Sequence, residues 1–228
     1  MSAVLTFARE PHRRSMVRVE SWWGRAFLRA IEELAYDDNQ LTGARSLARS
    51  GRIGGLVVEV GRFAAGIEDE RGLWTVTGTV PVLPGDAVTA LSEVVGATAE
   101  RTEALLSGEL PLDVAEHAEE AGVELVPYGE ELTVACTCGH WHVVCGHSLA
   151  VLHQLCWTVD RDASVLLHLR GAERDDLLDQ LRGGMRRHRS RGPEAVDVAE
   201  TGESTRDQVD DVEIALDAVL RARHLLEE

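Results

Sequence analysis

Lysine is absent from all 228 residues, so each of the 23 basic side chains is an arginine. Any cationic contact must come from forked, planar guanidinium groups, which suit carboxylate and phosphate better than a point-charge ammonium does. Positive charge is also scarce, because 39 Asp and Glu leave a formal net charge of −16. That balance excludes a protein that coats nucleic acid over its whole surface. No apolar run approaches the roughly 18 residues of a membrane span, and residues 1–30 lack the apolar centre of a secretory signal. The 4 cysteines are too few and too clustered for the disulfide framework of a small secreted domain. The expectation is a cytoplasmic protein with no membrane association. No Gly-rich phosphate loop, Ser-His-Asp order or paired-carboxylate pattern occurs, so enzyme activity is not expected.

What charge there is sits unevenly. Residues 1–62 carry 10 Arg against 7 acids, whereas residues 63–181 carry 5 Arg against 21 acids. Residues 182–193 hold 5 Arg (Arg182, Arg186, Arg187, Arg189 and Arg191) and no acid, and residues 194–228 hold 3 Arg against 11 acids. Basic character is therefore confined to the N-terminal part and one short arm. That arm either tethers nucleic acid weakly or folds against the acidic tail behind it.

Chemistry concentrates in one stretch. Cys136, Cys138, Cys145 and His147 fall within twelve residues, spaced C-x-C and then C-x-H. Thiolate and imidazole are the donors that suit Zn²⁺, and four of them complete the tetrahedron of a structural site. The competing reading is a redox or buried cysteine cluster, but no thioredoxin-like setting surrounds it. Glu131 to Ala135 alternates like a strand leading into Cys136, and Ser148 to Trp157 reads as a helix. His140, His142 and His153 stand by as substitute donors. Cys156 reads as a buried apolar thiol.

Before this stretch, Ser21 is placed to cap a helix from Trp22 to about Tyr36, with Trp23, Phe27, Ala30, Ile31 and Leu34 as its buried stripe. A short helix over Leu41–Arg49 follows. Three strands, Arg52–Val60, Arg62–Ile67 and Leu73–Val82, form an antiparallel meander expected to pack on the first helix. Asp86 to Ala121 is helical. After the cysteine stretch come helices over Ala163–Leu169 and Glu173–Arg182, a flexible linker, and an amphipathic helix over Asp207–Leu226. The last must bury its apolar stripe on its own domain or on a partner.

The C-x-C…C-x-H spacing resembles the SWIM zinc finger. The likeness to bacterial SWIM proteins of the actinobacterial type extends to Trp22-Trp23-Gly24-Arg25, to the Gly43–Ile53 stretch, to Leu106–Pro111 and to Leu167–Gly171, covering roughly residues 20–182. The resemblance implies a ββα unit around one zinc held by Cys136, Cys138, Cys145 and His147. A basic residue is frequent between the last Cys and His of that pattern, and Gly146 stands there instead. The fold class expected is α+β: a small meander with packed helices, a ββα SWIM-like unit, and a C-terminal helix on a linker. The corresponding segments are an N-terminal arm (1–20), an α+β domain (21–122), the finger (123–158), a helical extension (159–184), the linker (185–205) and the terminal helix (206–228).

The resemblance also implies a helicase-like ATPase partner of the Swi/Snf type, with DNA as a further contact. The leading expectation is a zinc-finger adaptor in genome maintenance or defence. The alternative is direct DNA or RNA binding through the finger and the Arg-rich N-terminal region. Arg45, Arg49 and Arg52 are the candidate phosphate contacts, against a reading in which acids of the same chain neutralise them. His140, Trp141 and His142 are the candidate contact surface, against a reading in which Trp141 caps the zinc core. A metalloenzyme ranks third.

Overall fold

Apolar residues at every second position, as in Leu56 and Val58 or Phe63, Ala65 and Ile67, line one face of a five-stranded antiparallel sheet in the computed structural model, which describes residues 3–15, 17–174 and 176–179. The strands run in spatial order β1 (Leu5–Phe7), β2 (Ile53–Glu59), β3 (Arg62–Asp69), β4 (Gly72–Thr79) and β5 (Thr133–Cys136). The arrangement is a mixed α/β one, with seven α-helices and one 3₁₀ turn among the described residues. One face of the sheet is buried and carries Leu56, Val58, Phe63, Ala65, Ile67 and Val76. Ile53 lies three residues before Leu56, which would put it on the opposite face in a regular strand. An irregularity in register between them, at Gly54 and Gly55, turns it back to the core.

The described residues divide into two compact units, those within 1–84 and 124–173, and those within 85–123 and 174–179. The first holds the sheet with α1 (Trp22–Glu33), α2 (Asp38–Arg49), the 3₁₀ turn Gly129–Glu131, α6 (Gly146–Arg161) and α7 (Ala163–Leu169). The second holds α3 (Gly85–Gly96), α4 (Ala99–Leu106) and α5 (Leu112–Glu120), with Leu91, Val95, Leu105 and Val114 buried. Within the second unit the Arg101 guanidinium donates to Asp113 (2.8 Å) and to the Val94 carbonyl (3.0 Å).

Helix α6 organises the first unit. Every residue from His147 to Val159 is buried, the mark of a helix that is covered on all sides. It packs against α1, α2, α7 and strands β3 to β5. Its C-terminal end is fastened to the start of α1. The Trp23 indole N–H donates to the Val159 carbonyl (2.8 Å), and Asp160 accepts from the Ser21 hydroxyl (2.7 Å). Ser21 in turn caps α1 by accepting from the Gly24 amide (2.9 Å). A Cβ at Gly24 would collide with Asp160, so the close approach requires glycine there. Behind α7, the buried Arg170 guanidinium donates to the carbonyls of Pro81 (2.6 Å) and Glu124 (2.8 Å).

Several expectations are corrected. Residues 1–20 are not an unattached arm: Leu5–Phe7 pairs with β2, and the Arg13 amide donates to the Arg49 carbonyl (2.9 Å). Three strand residues are too short a run to show a period, yet they cover the free edge of β2. The meander packs mainly on α6 and α7 instead of on α1. Helices α3 to α5 separate from the α+β domain expected over 21–122, and the cysteine segment is no domain of its own. Within 123–158 the described residues contain one strand, β5, whose partner is β4, so the expected ββα unit does not supply its own hairpin. The linker at 185–205, the helix at 206–228 and the arginines from Arg182 to Arg191 lie outside the described residues. No helix among the described residues is long and apolar enough to cross a membrane.

Candidate metal centre

The donors are brought together by a strand end and a helix start. Cys136 closes β5 opposite Val76, and the pairing runs one residue further as the Thr137 amide donates to the Thr75 carbonyl (3.0 Å). Gly139, in the left-handed region at φ 65°, turns the chain away from the sheet. At the far side of the loop, Cys145 is the N-cap of α6, and His147 sits in the first turn. The helical backbone tilts that side chain toward the N-terminus and hence toward the cysteines.

Cys136, Cys138, Cys145 and His147 place one donor atom each within 4.8 Å of one another, a group able to hold a metal ion. The Sγ atoms of Cys138 and Cys145 are 3.6 Å apart, and Cys136 Sγ lies 3.9 Å from His147 Nδ1. A tetrahedral ion with metal–sulfur bonds of about 2.3 Å needs donor separations of about 3.8 Å, so the donor set fits. All 4 cysteines are free thiols.

Electrostatics within the cluster favour a cation. Burial, reinforced by the neighbouring cysteines and only partly opposed by the Cys138 backbone N–H, pushes the Cys136 thiol up to about 12. Burial also raises Cys145, but the hydroxyl and backbone N–H of Ser148, each 3.4 Å from its sulfur, together with the neighbouring thiols of Cys138 and Cys136, outweigh it and leave that thiol lowered. One thiolate is thus welcome at the helix N-terminus, while further thiolates beside it require a positive ion.

A carboxylate joins the site from the sheet. Asp69, at the tight turn between β3 and β4, has Oδ2 3.2 Å from His147 Nε2. Its Oδ1 accepts from the Trp74 indole N–H (3.0 Å) and from the amides of Arg71 (2.8 Å) and Gly72 (3.1 Å). The Trp74 bond, helped by the two amides and by His147 against a smaller opposing effect of burial, holds the carboxyl well below the usual carboxylate range. The Trp74 ring also stacks on the His147 imidazole, centroids 6.3 Å apart and planes 26° apart.

Of the remaining candidates, His140, Trp141 and His142 form one stacked group. The Trp141 and His142 centroids are 3.4 Å apart, and those of His140 and His142 are 5.3 Å apart. Tyr36, past the end of α1, completes it at 4.7 Å from His142. Trp141 is 79% exposed and Tyr36 73% exposed, so Trp141 does not cap the metal core. The loop is held to α2 by Gln40, whose side-chain amide donates to the Val144 carbonyl (2.8 Å). Beside the aromatic group lies a depression of about 510 Å³ lined by Leu47, Arg71, Cys138, His140, Trp141 and His147 among others.

The arginine set is not brought to this surface as a unit. Arg45 is ion-paired with Glu32 of α1, and Arg49 Nε donates to the Arg45 carbonyl (3.2 Å). Arg52 is exposed beyond the helix. His153, a proposed substitute donor, is buried in α6 away from the cysteines and is not in the donor group. Sequence reasoning missed Asp69, Tyr36 and Ser148. Asp69 carries a turn signal in Asp69-Glu70-Arg71-Gly72, but nothing local links that turn to a histidine 78 positions later.

The chain is 29% identical over 164 residues to a Mycobacterium tuberculosis protein named "Uncharacterized protein Rv2102", and the match covers 71% of this chain and 59% of that protein. The similarity therefore spans less than two thirds of the relative's length. No family model and no solved structure matches this chain.

Proposed function

We propose that this protein is an adaptor whose zinc site supports a contact surface for a protein partner, in keeping with its resemblance to SWIM fingers. Three thiolates and one imidazole are a donor set suited to zinc. Four protein donors leave no position for a nucleophilic water, which supports a structural role for the ion and a non-enzymatic role for the chain. The observation that carries the reading is the juxtaposition of this donor set with the exposed Trp141 and Tyr36. Large, stiff aromatic side chains next to a rigid anchor are the residues from which protein contacts draw most of their affinity. The partner class is a helicase-like ATPase of the Swi/Snf type, and the setting is genome maintenance or defence, both on the strength of the resemblance.

Direct DNA or RNA binding is the second reading. It is favoured by the same rings, since bases stack on aromatic side chains at about 1–3 kcal/mol each. It is weakened by the pairing of Arg45 with Glu32, which removes one of three candidate phosphate contacts. Affinity purification from the native host, with metal content determined on the same material, tests the two together. One zinc per chain with a stoichiometric ATPase supports the adaptor. One zinc with nucleic acid released by salt supports direct binding, and absence of metal sinks both.

A further inference from the structure

We infer that Asp69 belongs to the metal centre as a positioning residue: it receives the Nε2–H of His147 and so presents Nδ1 as the nitrogen that meets the ion. The inference rests on the reading of the four donors as a metal site and adds to it a fifth, non-ligating member from another part of the chain.

The two nitrogens of His147 face different neighbours. Nδ1 points into the cysteine cluster, 3.9 Å from Cys136 Sγ, while Nε2 points at the carboxylate, 3.2 Å from Asp69 Oδ2. A neutral imidazole has one proton to place. With an ionised acceptor at Nε2 the proton resides there, and the Nδ1 lone pair is left for the cation. A ligating histidine held in this way by a carboxylate is fixed in both tautomer and ring orientation, and becomes a more basic ligand.

Asp69 is itself fixed. Three N–H groups, from Arg71, Gly72 and the Trp74 indole, all go to Oδ1, while Oδ2 faces the histidine at 3.2 Å, with the Arg71 Nε farther off at 3.5 Å. The carboxylate is mostly covered (side chain 15% exposed), and the stacked Trp74 ring limits rotation of the imidazole. The β3–β4 turn is thereby coupled to the first turn of α6. Replacing Asp69 with Asn keeps the size and the acceptor facing the three N–H groups. It turns an amide N–H₂ toward Nε2, which then loses its reason to carry the proton, and the tautomer with Nδ1 protonated has no lone pair on the nitrogen that faces the cysteines.

The test uses the full chain and zinc alone. Zinc affinity is measured by competition with a chromophoric chelator for the parent and for Asp69→Asn, with circular dichroism confirming the fold. The imidazole nitrogens of His147 are assigned by ¹⁵N NMR in the zinc-loaded parent. The expected results are metal-bound Nδ1 with protonated Nε2, and an affinity loss of about 10–100-fold in Asp69→Asn. Metal on Nε2 in the parent overturns the inference, as does a folded Asp69→Asn protein that binds zinc within about twofold of the parent. Should Asp69→Asn fail to fold, the assignment on the parent decides. A parent that binds no zinc overturns the metal reading and this inference together, whereas zinc binding indifferent to Asp69 overturns the inference alone.

Discussion

Gly78 offers the sharpest test of the packing that holds the centre in place. It pairs with Phe63 on β3 and with Val134 on β5, two residues before the first cysteine. The Phe63 ring, only 3% exposed, lies across the glycine. A Cβ at position 78 would press on Cζ of that ring and come within 2.5 Å of Cε1 and 3.0 Å of Cε2. Carbon atoms in contact need about 3.5–4.0 Å, so the ring must retreat by about 1 Å into packed surroundings. Overpacking of this kind costs about 1–3 kcal/mol, and alanine in place of a strand glycine returns about 0.5–1 kcal/mol of backbone entropy. Gly78→Ala should therefore lose about 1–2 kcal/mol. For a chain of this length that is a fall in Tm of about 2–8 °C. Gly43, in the interior of α2 with nothing within 4 Å of a built Cβ, supplies the contrast: Gly43→Ala should gain up to about 1 kcal/mol. Differential scanning calorimetry on the zinc-loaded proteins measures both. A Gly78→Ala variant that melts at or above the parent temperature refutes the placement of Phe63 over the glycine.

Cys138→Ser should lose stoichiometric metal and open residues 131–157 to protease, read by metal analysis and limited proteolysis of the same samples. Trp141→Ala should leave stability within about 0.5 kcal/mol, because the ring is 79% exposed, and lower partner affinity by about 30-fold. Acid should weaken the fold through His153, which burial, with help from the Arg45 guanidinium, holds down at about 4 against an ordinary value of 6.5. The unfolded chain takes up that proton below pH 6.5 and the folded chain only near pH 4. The stabilisation is thus complete above pH 6.5 and is lost across that window, by on the order of 3 kcal/mol. Urea midpoints from pH 7 to pH 4 for the parent and His153→Gln should diverge in slope; parallel curves would remove His153 as the cause.

Local chemistry was legible and long-range pairing was not. The C-x-C…C-x-H spacing picks out the four residues whose donors converge, and period-2 alternation at Trp74, Val76, Gly78 and Val80 finds the inward face of β4. Ser21 caps α1 as its hydroxyl suggests, and Gly51 takes φ 72° after α2. The strands β1 and β5 carry too few residues to declare a partner, so neither the edge at Leu5–Phe7 nor the union of the cysteine strand with the meander could be read. Helix α6 runs past the expected Ser148–Trp157 at both ends, because Gly146, His147 and the polar Thr158 interrupt an apolar count although in the fold all sides of that helix are covered. Asp69 is the instructive miss, since its significance depends on a neighbour that only the folded chain supplies.

The aromatic group beside the centre is fastened to helices that contribute no metal donor. Tyr36 and Gln40 straddle the turn between α1 and α2, and they touch His142 and the Val144 carbonyl while the cysteines and His147 are held from β5 and α6. The aromatic surface is consequently braced from one part of the chain and the four donors from another. A lineage could reshape the turn at Tyr36, Asp37 and Asp38 and tilt the Trp141 ring, and so present a different surface, without altering one donor. The same separation gives an engineer a surface to redesign on a framework that stays fixed.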